Sequence, residues 1–461
     1  MRCSFLQIKH MLLKKCYYLY IIILIIQVCI FSSCTTTNSP QQPNNIPTDD
    51  DQPYIPPSYI SIQNTTPIPT LTPSPLPVPT PSTPPGIAPM PADSTNIWTI
   101  MVYLDGDNDL DPYAIQDINS MELVGSTDKV KIVVQYDTSG NYGTRRYLIT
   151  KDYDQINITS PVLENIGEVN MGTSSSLTQF IQFCVTHYPA QKYSLILWNH
   201  GNGFKKPGNL QKDICWDDTS GGDALTIPEL AQAINQAGVS FDLIAMDACM
   251  MGMLEVAYEI RNNTKLFVAS EENVPAEGLN YQHFLENLVA SPYMDNLSLA
   301  RSMIDSYLYS YPFGTSLTMA AIDCQSLTSL AIAVNGLAES ILNDKKTSKE
   351  TYRTIVTRET ICFSDVDFID LGDFSYKLTY DPRILSSQVT TSAQQVENQI
   401  KNTILYHQSQ GNNDYWTINN ARGISIYLPI YNKYLDKYNH LQFAQDTRWD
   451  ELINFLSVGR R

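Results

Sequence analysis

From residue 97 onward, apolar runs of strand length alternate with stretches of helical periodicity, and polar turns separate them. Residues 98–104 and 241–249 are near-continuous apolar runs, and such runs bounded by turn residues read as strands buried on both faces. The same pattern predicts strands over 129–136, 145–149, 193–198 and 265–270. Between them, apolar residues at helical spacing predict helices over 111–123, 177–187 and 227–237, and an amphipathic helix within 250–260. Strands and helices in alternation imply an α/β fold, a mostly parallel sheet flanked by helices on both faces. Beyond residue 277 the pattern predicts helices over 297–309, 326–342 and 393–406, with strands near 316–322 and 423–428. No linker interrupts this part, which therefore reads as a C-terminal helical and strand extension of the same body.

Two of the strand ends carry chemistry. Cys249 falls on the turn between a strand and a helix, and His200 follows the strand 193–198 and precedes Gly201, Asn202 and Gly203. Open α/β sheets place their ligands in the crevice at the carboxyl ends of the strands, and one crossover joins these two strands, so both residues are expected at one crevice. An adjacent imidazole lowers a thiol's pKa and later protonates the leaving group, which makes Cys249 and His200 a candidate nucleophile and acid–base pair. Backbone N–H groups of Gly201 and Cys249 are the natural oxyanion donors. Period-two geometry puts Asp247 on the same strand face as Cys249. The competing reading of Cys249 is plain core, because cysteine is among the most buried residue types. His10, His187, His283, His407 and His440 neither follow a buried strand nor precede glycines, and are read as surface or structural.

The first fifth of the chain has a different composition. Residues 1–33 read as a signal peptide: Arg2, Lys9, Lys14 and Lys15 precede an apolar run over 17–31, about fifteen residues and short of a comfortable bilayer span. The closing Ser32-Ser33-Cys34 resembles a bacterial lipobox, with Phe31 a departure from it, so Cys34 is the candidate lipidation site; an ordinary signal peptide and an uncleaved anchor are the alternatives, and all three predict export. Residues 34–95, rich in Pro, Thr, Ser, Asn and Gln, lack the side chains to offset ordering entropy and read as a disordered tether. The folded domain is 96–461.

The net charge of −17 lies in the folded part and argues against nucleic acid as a partner while suiting cationic substrates. Beyond Cys34 five cysteines remain, Cys184, Cys215, Cys249, Cys324 and Cys362, an odd number without metal-type spacing, so a disulfide framework is not expected. Asp105, Asp107 and Asp109 alternate as in half of a calcium loop, but the Gly and terminal Glu of that motif are absent. A turn whose last acid caps the following helix is the preferred reading, and calcium stays open. Residues 201–226, with Lys205, Lys206 and Lys212, read as a long exposed loop suited to function or cleavage.

The motifs together resemble the clostripain family of cysteine peptidases. They are Trp198-Asn199-His200-Gly201-Asn202-Gly203, Asp247-Ala248-Cys249-Met250-Met251-Gly252, the opening from Met101 to Leu110, and Gly423-Ile424-Ser425-Ile426-Tyr427-Leu428-Pro429. The resemblance implies a caspase-like fold, a His200–Cys249 dyad and cleavage of protein or peptide substrates after Arg or Lys. It also implies that Asp247 lines the S1 pocket, where a carboxylate selects a cation by a charge-assisted contact. Glu277 is a second candidate pocket acid, although the sequence around it departs from the family pattern, and Glu271 and Glu272 are alternatives. Family members are often activated by cleavage between His and Cys, which points to self-processing at Lys212-Asp213, because Pro207 blocks Lys206. No cofactor is required for this chemistry. The runner-up is a non-catalytic surface protein that binds basic peptides or glycans; a peptidase with Asp or Asn preference would need a basic pocket, against which Asp247 argues.

Overall fold

The computed structural model describes residues 95–139, 143–204, 213–432 and 436–458. The signal peptide, Cys34, the tether, Lys205, Lys206 and Lys212 lie outside the described residues. Thirteen strands are described: β1 (Trp98–Gly106), β2 (Val130–Thr138), β3 (Thr144–Leu148), β4 (Val162–Gly167), β5 (Lys192–Trp198), β6 (Ile214–Asp217), β7 (Asp223–Leu225), β8 (Phe241–Asp247), β9 (Thr264–Ala269), β10 (Leu317–Asp323), β11 (Phe368–Asp370), β12 (Ile404–Gln410) and β13 (Ser425–Tyr427). Nine of them form one sheet in the order β12-β10-β9-β8-β5-β1-β2-β3-β4. The five central strands, from β9 to β2, run parallel. Antiparallel strands extend both sides, β10 and β12 on one and β3 and β4 on the other.

Period-two alternation sorts each central strand between two cores. Met101, Tyr103, Leu195, Leu197, Ile244 and Met246 face one core, which holds the helices Ser174–His187, Ile227–Ala237, Leu254–Ile260 and Leu327–Asn343. Ile100, Val102, Leu104, Ile196, Trp198, Leu243 and Ala245 face the other, covered by Asp111–Glu122, Tyr281–Ala290 and Asn296–Ser310. Both faces are thus buried, which is why the central strands read as unbroken apolar runs. The helix Ile227–Ala237 shows how local chemistry sets the boundaries. Thr226 and Glu229 form a capping box at its start, and Gly238 adopts a left-handed conformation (φ 72°) at its end.

The later part joins the same body. Its core is continuous with the first one, and Ser425 N–H donates to Gly252 O at 2.9 Å while the Trp449 indole N–H donates to Tyr427 O at 2.8 Å. Two expectations need correction. The helix expected over 393–406 ends at Thr403, and Ile404 begins edge strand β12, whose mixed polar sequence obscures its period. The expected exposed loop 201–226 contains the hairpin β6–β7, with Cys215, Asp217 and Leu225 fully buried.

Candidate active site

Parallel pairing of β5 with β8 runs from Ser194↔Leu243 to Trp198↔Asp247, so the two strands end level with one another. The chain then turns on both. After β5, Asn199 donates its side-chain amide to Asp105 O at 2.8 Å and to Trp216 O at 3.2 Å, fixing the turn that presents His200. After β8, Met250 takes a left-handed conformation (φ 55°), a strained state for a side chain with Cβ, and its N–H donates to Glu272 O at 3.1 Å. Cys249 is thereby held on the turn and remains half-buried, whereas Cys184, Cys215, Cys324 and Cys362 are buried; all five are free thiols.

The two turns touch at Gly201. A Cβ there would stand 2.5 Å from Cys249 O and 3.0 Å from Cys249 N, so only glycine permits the approach. Beside this contact opens a cavity of about 450 Å³. Its lining includes His200, Gly201, Trp216, Asp247, Cys249 and Val274, so His200, Cys249, Gly201 and Asp247 meet at one cleft. β8 ends at Asp247, so period two does not carry on to Cys249 as expected. Asp247 faces the core of Tyr281, and Cys249 packs toward the opposite one; the cleft is what brings them together.

The thiol contacts the strand-end loop. Val274 N–H donates to Cys249 Sγ at 3.3 Å, and the thiol lies 3.5 Å from Val274 O. Burial pushes the Cys249 thiol up from its ordinary pKa, the Val274 N–H pulls it down, and the charges of Asp247 and Glu272 push it up again. The imidazole is turned elsewhere: His200 Nε2 lies 2.7 Å from Asp109 Oδ1, an exposed carboxylate. Among the described residues no hydrogen bond joins His200 to Cys249, so the thiol is not depressed by an imidazole in this arrangement. Catalytic contacts of this kind are often long before substrate arrives.

Asp247 forms the cleft floor. Both of its oxygens accept from Leu279 N–H, at 3.2 and 3.0 Å, and Oδ2 also accepts from Tyr281 OH at 3.0 Å. Burial raises its pKa to about 6 against these donors. Asp117 lies close by, buried, with Oδ2 accepting the Trp198 indole N–H at 2.7 Å; burial first and the Asp247 charge second hold its pKa well above the usual range. Asp247 is thus the carboxylate that lines the cavity, while Asp117, which does not line it, holds its proton more tightly.

The other candidates are placed as follows. Glu277 is exposed on the loop between the cavity-lining Ala276 and Gly278 and does not itself line the cavity. Glu271 and Glu272 are neither pocket acids nor surface residues. Both are buried, Glu271 accepting from Gly423 N–H at 3.1 Å and Glu272 from the Asn413 amide at 2.9 Å, and so they tie the later segments to the sheet. Asp105, Asp107 and Asp109 do not converge on one ion. Asp105 is fully buried with Oδ1 accepting from Asp107 N–H, Asp107 Oδ2 accepts from Thr219 N–H, and Asp109 reaches His200. The expected helix cap also fails: the N-cap is Leu110 without a side-chain bond, and Asp111 instead accepts from Thr138 and Ser139 hydroxyls at 3.1 and 2.9 Å. Sequence reasoning missed Asp117, Trp216 and the role of Asp109. The available signal was spacing: Asp117 falls three residues after Ala114 and four before Met121, on the apolar face of the expected helix.

The family model of the clostripain family, Peptidase_C11, matches residues 102–455. Clostripain of Hathewaya histolytica is 30% identical over 222 residues, which cover 42% of this chain and 42% of that protein. The chain therefore spans under half the length of that curated relative. Among solved structures, a secreted C11 cysteine protease of Bacteroides thetaiotaomicron, in complex with an irreversible peptide inhibitor, superposes with a TM-score of 0.61 at 20% identity, covering 78% of this chain and 99% of the other. An inactive zymogen C11 protease of Parabacteroides distasonis gives a TM-score of 0.60 at 20% identity over the same shares, 78% and 99%. These likenesses show the fold, the expected caspase-like α/β arrangement.

Proposed function

The chain belongs to the clostripain family, and from that premise we propose that it is an exported cysteine endopeptidase that cleaves after Arg or Lys. The observation that carries this is the cleft itself: His200 and Cys249 end adjacent parallel strands over a cavity floored by Asp247. The cationic side chain of the substrate enters that cavity and meets the Asp247 carboxylate. His200 swings from Asp109 to take the thiol proton, and the thiolate attacks the carbonyl carbon of the scissile bond. The oxyanion forms beside the N–H groups of Gly201 and Cys249. The C–N bond breaks as the imidazolium gives its proton to the departing amine. Water then attacks the thioester, His200 accepts its proton, and the free acid leaves as the thiol is restored.

Export follows from the signal-like start and agrees with the secreted Bacteroides thetaiotaomicron relative; lipidation of Cys34 would keep the domain, 96–461, on a tether at the membrane. Self-processing at Lys212-Asp213 is part of the same reading. Lys212 is outside the described residues; what supports the reading is its neighbour Asp213, which lines the cavity and pairs with Lys437 Nζ at 2.7 Å. Identical fragments from wild type and Cys249→Ala in mass spectrometry would exclude self-cleavage.

The deciding experiment incubates the protein with fluorogenic peptides ending in Arg, Lys, Asp or Asn. Hydrolysis of the Arg and Lys peptides, abolished by thiol alkylation and in Cys249→Ala and His200→Ala, is expected. An active Cys249→Ala protein would overturn the mechanism. In the second reading, a non-catalytic surface protein that binds basic peptides or glycans, the His200–Asp109 contact is the working arrangement, and the same peptides bind without turnover.

A further inference from the structure

We propose that a groove beside Trp416 is a second substrate subsite, which takes a large apolar side chain roughly two to four residues N-terminal to the scissile bond. Such a subsite rests on the peptidase reading of the cleft, but the preference it creates is measured separately. The groove, of about 690 Å³, is walled by Val356, Val366, Tyr415, Trp416, Leu428 and Tyr431. Val366, Tyr415 and Tyr431 are 43%, 56% and 62% exposed, an apolar surface left open beside a cleft. Val356 comes from a π-helical turn, Ile355–Glu359, a conformation frequent at functional sites.

A short hydrogen-bonded wall joins this groove to the cleft. Asn273, which lines the cleft, donates its N–H to Glu272 Oε1 at 2.8 Å. Glu272 Oε2 accepts the Asn413 amide at 2.9 Å, and Asn413 Oδ1 accepts the N–H groups of Tyr415 and Trp416 at 2.9 and 2.7 Å. The same Asn413 amide donates to the carbonyl of Cys362, a residue of the groove wall, at 2.9 Å. One buried carboxylate, Glu272, thus holds the aromatic segment against the loop whose Val274 N–H meets the Cys249 thiol.

Strand order fixes which half of the substrate meets the groove. Cys249 follows β8, His200 follows its neighbour β5 on one side, and Glu272 and Asn273 follow β9 on the other. The leaving amine lies beside the imidazole that protonates it, so the leaving-group half of the peptide runs over β5. The acyl half therefore runs over β9, toward Asn273 and Asn413. Strands stand about 4.8 Å apart and an extended chain advances about 3.3 Å per residue. From β8, the segment that Asn413 carries is at least one strand away and β12, which leads into it, is three. That is a reach on the order of 5–15 Å, or roughly two to four residues.

The lining narrows the occupant to an apolar side chain. Arg358 and Asp414 put one charge of each sign on the groove, and Asp367 is committed to the Asn432 amide, at 2.9 Å to each of its oxygens. No net charge is thus offered to a polar residue, whereas two exposed tyrosine rings and a half-buried indole offer stacking surface. The preferred substrate is then basic at the scissile bond and aromatic or large aliphatic a few residues before it. Floor and groove come from different parts of the chain, Asp247 from the parallel sheet and the rings from the later extension.

The test measures kcat/KM of the full chain on internally quenched Arg peptides in which Phe is walked through the second, third and fourth positions before the Arg, against Gly and Glu at each. Phe is expected to be preferred over Gly about tenfold at one of these positions, mostly through KM, since the groove binds ground state and transition state alike. Tyr415→Ala and Tyr431→Ala, which trim exposed rings, should each cut that ratio at least about threefold, and the double variant should abolish it. Asp247→Asn should slow Phe and Gly peptides alike and leave the ratio in place. The same peptides, labelled and titrated into Cys249→Ala by fluorescence polarisation, should bind with the same ratio, so the subsite is measured even if nothing is cleaved. Cleavage of Arg peptides without a preference for Phe, a preference that survives in the double tyrosine variant, or Glu preferred to Phe, which would put Arg358 in charge, would each overturn the subsite and leave the peptidase reading standing. Where no peptide is cleaved, equal binding of the Phe and Gly peptides would overturn it.

Discussion

Two groups of buried carboxylates lie at the carboxyl edge of this sheet, and they differ in what satisfies them. Under the cleft, Asp247 and Asp117 are held by neutral donors: the Leu279 amide, the Tyr281 hydroxyl and the Trp198 indole. Beside the β6–β7 hairpin, Asp107 and Asp137 each keep an oxygen that no donor reaches. The first group is complete without a ligand, and because burial raises Asp117 well above the usual carboxylate range and Asp247 only to about 6, Asp247 is the acid left to meet a cationic side chain that comes and goes. The second keeps buried oxygens without a donor. The loop after β1 serves both, sending Asp107 to one site and Asp109 to His200 at the other.

The sharpest way to break this contrast is Asp247→Asn. Removing the charge should lower kcat/KM for Arg and Lys peptides about 100-fold or more, since truncating one partner of a buried charge pair costs about 2–5 kcal/mol. Unchanged hydrolysis of both peptides by this variant would show that Asp247 is not what meets the cationic side chain.

A second test is pH. Burial places the Asp247 pKa at about 6, so kcat/KM for cationic substrates should fall roughly fivefold from pH 6 to pH 5 as the floor is neutralised. Stability moves the other way. A folded pKa raised above the unfolded one contributes stability below the ordinary carboxylate range, and this is lost as pH rises through about 6. As pH rises from 4.5 to about 6, wild type should therefore lose Tm relative to Asp247→Asn, the difference levelling off above that pH, as paired unfolding curves from pH 4.5 to 7.5 would register. A difference that stays flat would mean that donors outweigh burial.

Tyr281→Phe removes one donor to Asp247 and should cost about fivefold in kcat/KM, near the 1 kcal/mol of an ordinary hydrogen bond, while moving the acid limb of the pH profile upward. The smallest effect is expected at Asp109. Its carboxylate is exposed, and Asp109→Ala should lower kcat about two- to threefold with KM unchanged, less so at high salt. A larger loss, insensitive to salt, would make this acid part of the cleft's buried machinery.

What the sequence disclosed depended on how local its signal was. β1, β5 and β8 are buried on both faces, so each reads as an apolar run, and the turns at their ends expose His200 and Cys249 directly. The hairpin was missed because β6 and β7 are only 4 and 3 residues long, too short to show a period. β12 was absorbed into the preceding helix because its polar sequence continues without a break. The alternating Asp105, Asp107 and Asp109 suggested one ligand set, whereas the fold divides them by direction. Asp137, Glu168 and Asp217 were illegible, because nothing local joins acids that meet only when β1, β2, β4 and the hairpin are assembled.

The level ending of β5 and β8 has a meaning for assembly as well as chemistry. Slipping one strand by a single residue exchanges its two faces. Trp198 would then no longer lie across from Asp247, and the indole that reaches Asp117 would turn to the opposite core. A nascent sheet that mispaired these strands would bury an acid without its donor, an error with an immediate energetic penalty. The polar pair at the strand ends thus proofreads the alignment of the sheet, so that a chain able to finish folding has already brought its two turns into contact.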